Sequence, residues 1–178
     1  MDFRHEFEVE QNQLKNQIDL SNYFEDSDIR YVAGVDLAYW TENDKEYGVA
    51  CLVVIDLENL QVVEEVSFHD EIRVPYLPGF LAFRELPLIL AAVKLLKTKP
   101  DLFMFDGNAY LHPRHTGIVT HASFFLGKPT TGVSKNDYHI EGAKFVLPDN
   151  DEGACTEIVK NGEIYGQVLR NFQNKSME

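Results

Sequence analysis

Residues 31–56 read YVAGVDLAYWTENDKEYGVACLVVID, two runs of strand-forming residues around a polar turn, TENDKE. The first run, Tyr31–Tyr39, and the second, Tyr47–Asp56, predict strands. The second is apolar on both faces, which places it inside a sheet. Asp56-Leu57-Glu58-Asn59 then turns the chain. Gln61–Phe68 carries Val62, Val66 and Phe68 on one parity and Glu65 on the other, the pattern of a half-exposed edge strand. The short polar connections predict an antiparallel meander.

Outward from the meander the period changes. On the N-terminal side, Leu14 and Ile18 stand four apart in a polar background and predict an amphipathic surface helix over 7–20. Asp19–Arg30 reads as a polar loop. On the other side, Leu88–Leu96 predicts a helix with Pro87 in its first turn, because a proline mid-helix costs ~3 kcal/mol. Glu85 then falls at the junction where that helix begins. Pro100-Asp101 turns the chain, and Leu102–Phe105 (LFMF) predicts a short buried strand that delivers Asp106. A second helix is predicted from His115 to Leu126, with Ile118, Ala122 and Phe125 as its apolar stripe, Gly127 just past its end and Pro129 as its stop. Thr130–Ser134 predicts another strand. Asn161-Gly162, between Ala154–Lys160 and Glu163–Arg170, is a hairpin signal. Meander, helix, strand, helix, strand makes an α/β sheet of mixed direction.

The composition sets bounds. The 178 residues are 44% apolar and 25% charged, the mix of one soluble globular domain, 1–178. No apolar run approaches the ~20 residues of a membrane helix. The acidic N-terminus MDFRHEFEVEQ lacks an apolar signal core, which predicts a cytoplasmic protein. Cys51 and Cys155, with no metal-like spacing, are expected to be buried thiols. Sixteen Lys and Arg against 29 Asp and Glu give a net charge of −13, which argues against a broad basic surface for nucleic acid. A metal-dependent nuclease is compatible with that charge, since its site must itself be acidic.

Asp36, Glu85 and Asp106 are carboxylates in apolar surroundings. If the first strand and LFMF are neighbours, Asp36 and Asp106 come close, with Glu85 nearby. Carboxylates gathered in a partly dry place repel one another unless a cation lies between them, and hard oxygen donors select Mg²⁺ or Mn²⁺. Taken singly, each aspartate also reads as a turn or cap residue, and Glu85 as an acid favoured at a helix start. The segment DGNAYLHPRHTG adds Gly107, where backbone can approach a ligand closely, and His112, Arg114 and His115, candidate phosphate or metal partners that also read as solvated side chains. Lys135, after TTGVS, is placed to hold a phosphate near Asp106, or is solvated. Pro75-Tyr76-Leu77-Pro78 is a stiff turn that reads as a wedge between stacked bases or as a connection with Tyr76 packed on the core.

Four segments, GVDLAYW, VPYLPGFLAFRELP, PDLFMFDGNAYLHPRHTG and KPTTGVSK, stand in an order and spacing that resembles the endonuclease V family, the deoxyinosine 3′ endonucleases, from Tyr31 to Arg170. The resemblance implies a ribonuclease H-like fold. It implies Mg²⁺-dependent cleavage of the second phosphodiester bond 3′ to inosine in DNA, in repair of deaminated adenine, with RNA as the substrate of some members. It assigns Asp36 and Asp106 as metal-binding aspartates, Glu85 as the third active-site carboxylate, His112 as a histidine of the catalytic centre and Lys135 as the lysine at the scissile phosphate. Pro75, Tyr76, Leu77 and Pro78 become the strand-separating wedge, and Gly107 lies where backbone amides approach the base. Two departures stand out. Ala109 replaces the second glycine of the family's DGxG, which narrows the expected base pocket. The family's further C-terminal strand and helix have no counterpart before Glu178. The expectation is then a weaker enzyme, or a relative that binds inosine without cutting, and self-association through an exposed C-terminal edge.

Overall fold

A computed structural model describes residues 3–22, 24–135 and 139–171. Helix α1 (Phe3–Lys15) precedes a meander of β1 (Tyr31–Glu42), β2 (Lys45–Asp56) and β3 (Gln61–Glu71). Helix α2 (Leu81–Val93), β4 (Leu102–Asp106), α3 (Ile118–Leu126) and β5 (Thr130–Val133) follow. The strands form one sheet of order β3-β2-β1-β4-β5, antiparallel through the meander and parallel from β1 to β5. This is the expected ribonuclease H-like sheet, with β2 inside and β3 at an edge.

Alternation along each strand makes one apolar face. Ala33 and Val35, Ala50 and Leu52, and Phe103 and Phe105 are all buried beneath α2 and α3, where Ile89, Ala92, Val119 and Ala122 are buried as well. The intervening residues Asp36, Cys51, Met104 and Asp106 are exposed on the other face. That corrects the expectation for the cysteines: Cys51 and Cys155 are both exposed and free, because Cys51 has the pleat parity of Asp36 and not of Leu52. A β-bulge at Val63 moves Val62 off the parity of Val66 and Phe68, and Val62 is half exposed as a result.

Three helix expectations shift. Helix α1 begins at Phe3 and ends before Ile18. Its inward stripe is Phe3, Phe7, Gln11 and Leu14, with Phe7 stacked on Phe83 at a 3.9 Å ring separation and Gln11 its one fully buried residue among those described. Helix α2 begins at Leu81, so Pro87 lies inside it and Glu85 one turn in. Pro87 is on the exposed side of the helix, where water can take the Phe83 carbonyl that proline cannot bond, while Ala82, Leu86 and Ile89 are buried. Helix α3 starts at Ile118, not His115, and ends at Gly127 in the left-handed region. Phe125 of its expected stripe is half exposed beside His121.

The Asn161-Gly162 hairpin forms a separate two-stranded sheet, β6 (Cys155–Lys160) and β7 (Glu163–Leu169), with φ positive at both turn residues. Ile158 and Tyr165 pack with Ile140 in a second small core.

Candidate active site

Strands β1 and β4 run parallel, with Val35 opposite Phe105. The next residues, Asp36 and Asp106, therefore stand side by side on adjacent strands, roughly 4.8 Å apart at the backbone. Both project from the exposed face at the carboxyl end of β4, the end where parallel sheets place ligands. Strand β5 puts Val133 opposite Asp106, and Lys135, two residues on, sets its Nζ 3.2 Å from Asp106 Oδ2. Asp36 Oδ1 accepts the Leu37 N–H at 2.8 Å.

Glu85 reaches the same end of the sheet from α2. It is buried, and burial pushes its carboxyl above the usual carboxylate range, with the charge of Asp36 adding to that push. The Tyr39 hydroxyl, which donates to Glu85 Oε1, and the Arg84 guanidinium act in the opposite sense. Burial and the Glu85 charge raise Tyr39 well above an ordinary phenol. Arg84 lies over the Tyr39 ring at 4.8 Å, pairs with Glu46 and donates to the Val74 carbonyl at 2.9 Å.

That last bond fixes the start of the Pro75–Pro78 turn. Phe80 N–H bonds the Leu77 carbonyl at 3.0 Å, with Gly79 at φ +82° after Pro78, the geometry of a tight turn that glycine favours. Pro75, Tyr76 and Pro78 are exposed, Tyr76 by 65%, so the tyrosine is not core packing.

The loop 107–117 lies beneath this turn. Gly107 donates to the Val133 carbonyl at 3.0 Å, and a Cβ there would come within 2.8 Å of Ile118. Ala109 packs against the main core, and its carbonyl accepts the Gly117 N–H. His112 is buried, its Nε2 3.0 Å from the Gly79 carbonyl and its Nδ1 3.2 Å from the Arg114 N–H. Those partners require the neutral ring with the proton on Nε2, and burial with the nearby Arg114 charge lowers its pKa to about 4. Arg114 also reaches the Gly79 carbonyl and covers the Phe80 ring at 4.5 Å. His115 stacks on Tyr110 at 4.0 Å and lies against Tyr165.

The structure thus brings Asp36, Asp106, Glu85 and Lys135 to one end of the sheet and turns His112, Arg114 and His115 into the protein. The donor chemistry suits a hard divalent cation: three carboxylate side chains, one of them pushed toward protonation by burial and by its neighbour's charge. Among the described residues no three His, Cys, Asp or Glu side chains are arranged round one point as metal ligands. Glu85 is instead turned to Tyr39, and Asp106 to Lys135. Sequence reasoning missed Tyr39, Arg84 and Gln11. Tyr39 and Arg84 lie within quoted motifs, and the signal for Gln11 was its place one turn after Phe7 on a helical stripe.

Residues 12–177 match the sequence profile of the family described as Endonuclease V. Endonuclease V of Clostridium acetobutylicum is 54% identical over 167 residues, covering 94% of this chain and 71% of that protein. The crystal structure of Endonuclease V from Bacillus subtilis superposes with a TM-score of 0.92 at 49% identity, over 98% of this chain and 74% of that one. Ciona intestinalis Endonuclease V, solved with a 24mer DNA containing an inosine followed by a ribo-adenosine, is similar at a TM-score of 0.73 and 29% identity, over 80% of this chain and 62% of that one. With a profile match over most of its length and relatives at such identity, the chain belongs to the Endonuclease V family.

Proposed function

We propose that this protein hydrolyses inosine-containing DNA at the second phosphodiester bond 3′ to the inosine, with Mg²⁺ held by Asp36, Asp106 and Glu85. The reading is carried by the placement of Asp36 beside Asp106 at the carboxyl end of β4, with Glu85 behind them. The Ciona relative's complex with inosine-containing DNA supports the substrate class. The cation would neutralise charge on the phosphate and lower the pKa of a water. The remaining work falls to side chains. The Lys135 side chain is 85% exposed beside Asp106 and has the reach and charge to hold a phosphate oxygen there. Tyr39 and Arg84 orient Glu85 by hydrogen bond and by charge. His112, with both ring nitrogens engaged, supports the site by position: it holds the turn that carries Tyr76.

Tyr76 supplies recognition in this reading. Its ring stands out from a turn fixed at both ends, so little entropy is lost when it stacks against a base. Stacking of an aromatic ring on a base contributes ~1–3 kcal/mol. Tyr76→Ala is therefore expected to weaken binding of a single-inosine duplex about tenfold or more while the saturating single-turnover rate changes far less. Filter binding and quenched-flow cleavage check this. Equal loss of binding to inosine and undamaged duplexes would leave Tyr76 without a part in recognition.

A further inference from the structure

Three side-chain donors converge on the carbonyl oxygen of Gly79: His112 Nε2 at 3.0 Å, Arg114 Nη2 at 3.2 Å and Gln11 Nε2 at 3.0 Å. His112 and Arg114 belong to the loop after β4. Gln11 comes from α1, 68 positions away in sequence, and is 1% exposed. Its amide is used fully: Nε2 also donates to the Thr116 carbonyl at 3.3 Å, and Oε1 accepts Arg114 Nε at 2.5 Å. A buried amide with this many bonds fixes its neighbours in one arrangement. Gln11 thus ties together α1, the 107–117 loop and the end of the Pro75–Pro78 turn. At the other end the turn is held by Arg84 on the Val74 carbonyl. Tyr76 lies between these two anchors and touches solvent.

We propose that Gln11 is a positioning residue for inosine recognition, acting through the Gly79 carbonyl on the attitude of Tyr76. The inference rests on the proposed function for its substrate and on the Gly79 contacts for its geometry. Helix α1 has a separate hold on the core through the Phe7–Phe83 stack, so it remains docked when Gln11 is changed. Gln11→Leu removes all of the amide's bonds. Gln11→Glu keeps an acceptor for Arg114 but sets carboxylate oxygens against the Gly79 and Thr116 carbonyls. The two variants separate the hold on the turn from the hold on Arg114.

The test measures binding of single-inosine and undamaged duplexes without Mg²⁺, and the single-turnover cleavage rate at saturating protein with Mg²⁺. Both variants are expected to lose about tenfold in discrimination, since a small misplacement of a positioning group has effects of that order or larger, with the saturating rate within about twofold of the parent. In a Tyr76→Ala background neither variant should lower discrimination further, because the effect runs through that ring. Losses that add to Tyr76→Ala, or a rate that falls in step with binding, overturn the proposal. A substrate-free measurement accompanies it: trypsin cleavage after the exposed Arg73, followed by mass spectrometry, should quicken in both variants. If the parent protein fails to discriminate inosine, the proposed substrate is wrong and the trypsin arm alone decides whether Gln11 holds the turn. Unchanged cleavage after Arg73 means that it does not.

Discussion

Asp36→Ala and Asp106→Ala are each expected to reduce Mg²⁺-dependent cleavage of an inosine duplex by about a thousandfold or more, equivalent to ~4 kcal/mol of transition-state stabilisation. The two side chains sit side by side because β1 and β4 pair in parallel up to Val35 and Phe105. Both are exposed, and no buried contact of the apolar core depends on either. Alanine at one position removes a cation ligand and also one of two neighbouring like charges. The metal-free protein should consequently melt no lower than the parent, and calorimetric titration should show weakened Mg²⁺ binding. Loss of activity with a melting temperature that falls by many degrees would instead make these aspartates structural. Parental turnover in either variant would remove them from the reaction.

Glu85→Gln should separate function from stability in opposite directions. The folded carboxyl titrates above its ordinary value of 4.5, mainly because it is buried. Between the unfolded and folded values the native state holds more protons than the unfolded chain, so native stability falls as pH rises through that window. The cost is absent below the unfolded value and complete above the folded one. Glutamine carries no charge and keeps an oxygen for the Tyr39 hydroxyl. In the presence of EDTA at neutral pH the variant is expected to be more stable than the parent and to melt at a higher temperature. The difference should vanish as pH drops below about 4.5. Cleavage should fall at least about a hundredfold, because a neutral amide is a poor ligand for a hard divalent cation. Thermal melts across pH 4–8, read beside cleavage rates, check both halves. A variant that is less stable at neutral pH would show that the Glu85 charge holds the fold together.

The sequence made strands legible where period and turn chemistry agree. The meander, LFMF and the Asn161-Gly162 hairpin all form, since alternating apolar residues bounded by polar turns have few other outcomes. Helix starts were less legible. Pro87 reads as a first-turn residue, yet burial of both neighbouring faces carries α2 back to Leu81 through it. The bulge at Val63 is invisible in the parity of Gln61–Phe68, because a bulge is a property of the pair β2–β3 and not of one strand. For the site, the motifs picked out Asp36, Asp106, Glu85 and Lys135 as residues that end up together. They gave no means of telling that His112 and Arg114 bond inward to the Gly79 carbonyl, which a glutamine 68 positions away from that glycine also reaches. Buried polar networks join distant segments through single side chains, and local sequence patterns carry no trace of the partner.

The most direct test of the proposed activity is to map the products of this protein on a duplex bearing one inosine, with Mg²⁺ and with EDTA, beside an identical duplex bearing adenine. One nick is expected, at the second phosphodiester bond 3′ to the inosine, leaving a 3′-hydroxyl and a 5′-phosphate, with none in EDTA and none on the adenine control. Tight binding of the inosine duplex with no nick in Mg²⁺ or Mn²⁺, or equal cutting of both duplexes, would contradict it.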